Sequence, residues 1–199
     1  MELAVCSILG YRGIIMKLIA FGEKISGLTI DGKPAPYPVL NERDARAAAG
    51  VMLVAGIFAF VQALVLGNRT YLYAMVIIFF IEFGIRIFIN PKLAPFYVLG
   101  QLIVANQRPD YVGAAQKRFA WSLGFGLATV MMVVLFVFGL TGTVPFAICG
   151  ICLFLLWFET SFGICVGCKM YFGLISMGVI KKPKIMPACP GGVCSIKKF

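Results

Sequence analysis

Four long apolar stretches separated by short polar interruptions dominate this chain. Residues 47–67 carry no charged side chain, and about 20 helical residues at roughly 1.5 Å each cross a hydrocarbon core about 30 Å thick. Residues 70–89 repeat the pattern with Glu82 and Arg86 as the charged exceptions, residues 119–140 carry none, and a final apolar run extends from 144 to 180. That last run is longer than one crossing needs, so the fourth span is expected over 144–168 with a cytoplasmic extension to 180.

The interruptions predict how the helices start and stop. Asn41 stands where an N-cap is required, with Glu42 and Asp44 near the positive helix end. Asn68 and Arg69 form a tight turn, and Thr143 with Pro145 opens the last helix. Between 90 and 118, Pro91 and Pro95 break the helix, and the apolar segment 93–104 is too short to cross, so it is expected to lie on or dip into the membrane face, anchored by Arg108, Lys117 and Arg118. Residues 1–40 comprise a glycine-containing amphipathic segment with Arg12, Lys17 and Lys24, expected to lie in the interface, and a proline-rich connector. Residues 181–199 form a basic, cysteine-containing tail.

Composition supports this layout. Hydrophobic residues make up 61% and charged residues 13%, and the mean hydropathy is +0.96, far from a soluble domain. Lys and Arg outnumber Asp and Glu by 18 to 8. With four spans, the segments before 41, between 90 and 118 and after 180 share one side and hold nearly every cation. The positive-inside tendency makes that side cytoplasmic, with both termini there, whereas a fifth crossing would export Lys181, Lys182 and Lys184. The expectation is an all-α integral membrane protein, a four-transmembrane-helix bundle with an N-terminal interfacial helix. Its partners include membrane lipids, and it can form a homo-oligomer. No basic stretch interleaves with aromatics, so nucleic acid is not an expected partner.

The candidate chemistry is narrow. The chain has no histidine, which removes the commonest general base and metal ligand. Seven cysteines stand at 6, 149, 152, 165, 168, 189 and 194, and six form close pairs. Cys165 and Cys168 are near the cytoplasmic boundary, with Glu159 as a proton-handling group and Lys169 placed to favour a thiolate. Glu82 and Arg86 are four residues apart on one face, the spacing of an ion pair. Counted along their helices, Arg86 and Glu159 lie at about the same depth, so a Glu82–Arg86–Glu159 cluster is expected. Cys189 and Cys194 flank Pro-Gly-Gly-Val on the side of Cys165 and Cys168. Four converging thiols suit either thiol–disulfide exchange or a zinc or iron–sulfur site, and no cofactor is required. Cys152 lies about 20 Å from Cys165 along the helix, and Cys149 and Cys152 are expected to be apolar filler.

Glu42, Arg43 and Arg46 before the first span, and Cys165, Gly167 and Cys168 with Tyr171 in the last, give residues 36–171 a pattern that resembles a bacterial family of small integral membrane proteins carried as a domain of unknown function. The resemblance implies a compact four-helix membrane protein and points to Cys165 and Cys168. From the residues, the leading functional expectation is a membrane thiol–disulfide or sulfur-relay protein, served by a thioredoxin-like or sulfurtransferase partner. A small transporter for an anion such as a sulfur oxyanion, drawn by Arg86, and a scaffold subunit of a membrane complex are the alternatives.

Overall fold

A computed structural model describes residues 21–30, 32–183 and 185–187. The expected interfacial helix, Cys6, Cys189, Cys194 and the rest of the tail lie outside the described residues. Among the described residues the fold is mostly helical, with six α-helices: α1 Glu42–Leu64, α2 Thr70–Gly84, α3 Pro95–Ile103, α4 Ala114–Met132, α5 Thr143–Phe162 and α6 Val166–Ser176. α2 and α4 each run on into a π-helical turn, at Ile85–Ile89 and Val133–Val137. Among the described residues, four helical units are long and apolar enough to cross a membrane: Glu42–Leu64, Thr70–Ile89, Ala114–Val137 and Thr143–Phe162. Val54 and Val137 on these units are 71% and 73% exposed, as side chains facing lipid would be. These are the features of a multi-pass membrane protein.

α1 begins where its sequence allows. The Asn41 side chain accepts from Arg43 N at 3.2 Å and from Asp110 N at 3.0 Å, so a single residue caps the helix and ties it to the chain entering α4. That tie is part of a short antiparallel ribbon. β3 (Val39–Asn41) pairs with β4 (Tyr111–Gly113), Leu40 opposite Val112, and a smaller hairpin joins β1 (Thr29–Ile30) to β2 (Lys33–Pro34). The strands are an addition to the mostly helical fold that the expectation did not include. Their residues sit in the loops between apolar runs, where two- and three-residue strands leave no readable alternation.

α1 packs against α2, α3 and α5, α2 against α4, and α4 against α6, while α4 and α5 touch only lightly. The largest buried cluster, with Leu40, Ala45, Ala48, Tyr97, Ala114 and Trp121, gathers at the ribbon end. Val76, Met131 and Leu135 form a second at the far end, against which Cys149 packs. α3, the short helix expected to lie on or dip into the membrane face, buries Tyr97 and Gly100 and exposes Leu99, Leu102 and Ile103. It lies against α1 so closely that a Cβ at Gly100 would stand 2.6 Å from Ala48 N and 2.8 Å from the Asp44 carbonyl.

Two spans differ from the sequence reading. The third starts at Ala114 instead of 119, so Lys117 and Arg118 belong to the helix; Lys117 is buried instead of anchoring at the surface, while Arg118 stays exposed. The fourth ends at Phe162, short of 168. Gly163 adopts φ +65° and donates to the Glu159 carbonyl at 3.0 Å, a left-handed stop that glycine takes without a Cβ penalty. The chain then turns through an extended Cys165 and restarts as α6, so the expected continuous extension to 180 is a separate helix.

Gly100→Val is expected to push α3 off the α1 backbone and lower the thermal unfolding midpoint in detergent, by the roughly 1–3 kcal/mol of an overpacked contact. Gly126→Val, which meets open space, should leave the midpoint unchanged. Circular-dichroism melts of the two variants make the comparison, and equal midpoints would contradict the contact.

Candidate functional site

The ribbon sets the site. β3 leads directly into α1 and β4 into α4, so Glu42 in the first turn of one helix faces Lys117 in the first turn of the other. Lys117 Nζ lies 3.0 and 2.8 Å from the two Glu42 carboxylate oxygens and 2.7 Å from Glu159 Oε1. The side chains of Glu42 and Lys117 are 1% exposed and that of Glu159 is 15% exposed. Removing a lone charge from water costs several kcal/mol, so a lysine this deep is tolerable only because two carboxylates meet it. Arg46, one helical turn after Glu42, adds a second cation near the Glu42 carboxylate. Its guanidinium packs against Gly163 so tightly that a Cβ there would overlap it. Two acids and two bases thus share one buried end of the bundle.

The thiols stand beside this cluster. Cys165 is the N-cap residue of α6 and Cys168 lies within its first turn, an arrangement that corrects the expected regular helix through both. Both are free thiols, with Cys168 buried and Cys165 partly exposed. A hydrogen bond to Cys165, followed by burial and then the charge of Cys165, pushes the Cys168 thiol well above its ordinary value, and Lys117 pulls the other way. Gly167 explains the residue between them. A Cβ there would stand 2.6 Å from Ala120 Cβ and 2.7 Å from its Cα, so only glycine lets α6 approach α4 and bring the thiols to Lys117. Lys169 is exposed, and the cation that bears on Cys168 is Lys117.

Glu82 and Arg86 form a second, separate centre. Arg86 donates through Nε at 2.9 Å and through a terminal nitrogen at 2.6 Å to Glu82 Oε1, the (i, i+4) pairing that the spacing predicted. Glu82 also accepts from the backbone N–H groups of Phe96 and Tyr97, each at 3.0 Å, and so caps α3. The rings of Phe83, Tyr97 and Trp121 surround the guanidinium at 5.2–5.7 Å from their centroids, and Met52 Sδ is 3.5 Å away. Burial raises the Tyr97 phenol above its ordinary range, so this ring stays neutral over the cation. The expected Glu82–Arg86–Glu159 cluster does not form: Glu159 bonds to Lys117, and Arg86 pairs with Glu82. Depth along a helix fixed the level of each group but not its azimuth.

The family described as Domain of unknown function (DUF4395) has a model that matches residues 40–175. The chain belongs to this family. The matched region of this DUF4395 protein takes in Glu42, Arg46, Lys117, Glu159, Cys165 and Cys168, and ends within α6. No curated protein and no solved structure matches the chain.

Lys117 is the site residue that sequence reasoning missed. One signal pointed to it: Glu82 has its own cation four residues away, which leaves Glu159 without one in the same apolar environment. Among the described residues no group of three or more Cys, Asp or Glu side chains is arranged to hold a metal ion. The four-thiol convergence depends on Cys189 and Cys194, which lie outside the described residues. Cys149 and Cys152 are partly buried on α5.

Lys117→Met leaves Glu42 charged, buried and without its cation, and is expected to cost about 3–5 kcal/mol in a denaturant titration. Adding Glu42→Gln to the same chain should recover part of that loss. If the single variant unfolds like the parent, the ion cluster does not hold the bundle end together.

Proposed function

We propose that the protein is a membrane thiol–disulfide exchange protein acting through Cys165 and Cys168. The observation that carries this reading is the position of a Cys-x-Gly-Cys pair at a helix start, beside a lysine buried between two carboxylates. A helix N-terminus and a fixed cation both favour a thiolate, the reactive form of cysteine. Cys165 is the accessible member and exchanges with the partner. Cys168 is the buried member, whose high proton affinity suits it to be held as a thiol.

The exchange follows from these roles. With Cys165 and Cys168 joined as a disulfide, the thiolate of a partner dithiol attacks Sγ of Cys165. Cys168 departs with a proton supplied through Glu159, and Lys117 balances the charge meanwhile. The partner's second thiol then attacks the mixed disulfide and releases Cys165. The partner leaves oxidised and the pair is left as two thiols. A thioredoxin-like protein has the required dithiol, Lys169 on the exposed side of α6 contributes to its docking, and Cys189 with Cys194 serves as a second thiol pair. The face bearing Lys92, Arg108, Lys169, Lys181 and Lys182 is the cytoplasmic one by its charge, in a bacterial inner membrane. The anion-transport reading rests on Arg86, which is neutralised by Glu82 and boxed by three rings, and the geometry favours exchange over it.

Treatment of the purified protein with diamide is expected to join Cys165 to Cys168, read as the loss of two hydrogens in intact mass and assigned by peptide mapping. Iodoacetamide at neutral pH should label Cys165 before Cys168 in the reduced protein. A Cys165–Cys168 pair that stays reduced under diamide would sink the reading.

A further inference from the structure

A cavity of about 440 Å³ extends from Cys165, Glu159 and Arg86 at the ribbon end to Cys149 and Val76 deeper in the bundle. Its lining is overwhelmingly apolar, and its polar groups gather at the thiol end. Cys165 lines it and Cys168 does not. Its side wall is the light contact between α4 and α5, where Leu123, Val130 and Ile151 line the cavity and are 40%, 48% and 55% exposed. In a bilayer that gap opens onto lipid tails. The occupant must therefore reach the site from the hydrocarbon and carry an apolar body with a compact polar end.

We infer that this cavity binds a membrane quinone, which takes the electrons of Cys165 and Cys168. The inference rests on the thiol–disulfide reading and supplies the acceptor which that reading lacks. Volume fits, because ligand sites commonly span about 300–1,000 Å³. Polarity fits as well: a quinone ring has two carbonyl acceptors for the polar end, and its isoprenoid tail matches the apolar length and the lateral gap. The chemistry balances. The Cys165 thiolate bonds to an electrophilic ring carbon, and Cys168 sulfur then attacks Cys165 sulfur. The S–S bond forms, the C–S bond breaks, and its electron pair stays on the ring. The two thiol protons end on the two quinol oxygens, passed through Glu159, which lines the same cavity. Two thiols are oxidised and one quinone is reduced.

The test uses the full chain in detergent with decylubiquinone, a short-tailed benzoquinone, under anaerobic conditions. Trp121 lines the cavity and Trp157 does not, so Trp157→Phe leaves a single reporter whose fluorescence the bound quinone quenches. Reduced protein is expected to bleach one quinone per Cys165–Cys168 disulfide formed. Val130→Trp fills the exposed lip of the cavity and should slow this reaction by about tenfold or more, with diamide-driven disulfide formation unchanged. Unquenched Trp121, or a quinone rate unaffected by Val130→Trp, overturns the quinone site while a diamide disulfide keeps the exchange reading. Failure with diamide as well removes both.

Discussion

The Lys117 ammonium between Glu42 and Glu159 is the contact on which the ribbon end of this protein depends. It joins three of the four spanning helices through one atom, in a place where water cannot stand in for a missing partner. The cost of burying three charges is met only when α1, α4 and α5 all arrive, so the cluster acts as a requirement for correct assembly more than as a source of net stability. The β3–β4 ribbon makes that arrival possible. It fixes the starts of α1 and α4 relative to each other before any side chain is considered.

Much of the architecture was legible in the sequence, because the membrane imposes length and apolarity on each span. Long apolar runs located the four crossings, Asn41 announced the first helix, and the spacing of Glu82 and Arg86 announced their pair. The site was less legible, for physical reasons. Lys117 looks like a loop residue because a lysine flanking an apolar run ordinarily anchors to headgroups, and its burial depends on two carboxylates distant in the chain. The stop at Gly163 was hidden because the residues on both sides are apolar and helix-compatible, while the break comes from a left-handed glycine packed beneath Arg46. Glu159 could be assigned a depth, but not a direction around the helix axis, from a single chain.

Close approach by small residues governs the rest of the packing. Gly100 lets α3 sit on α1, Gly167 lets α6 sit on α4, and each substitutes backbone contact for a side chain where lipid supplies no hydrophobic drive between helices. The glycine of the cysteine pair thereby has a packing reason independent of any redox role: without it the thiols would stand away from Lys117. Packing and chemistry here ask for the same residue at the same position.

Arg86 bears on how such a chain enters its bilayer. Of the three rings around its guanidinium, only Phe83 belongs to the same helix, whereas Tyr97 and Trp121 emerge from the ribosome later. When α2 first inserts, its cation has Glu82 and little else, and Glu82 still lacks the α3 backbone N–H groups that it will cap. Maturation of the second span is therefore completed by segments synthesised after it.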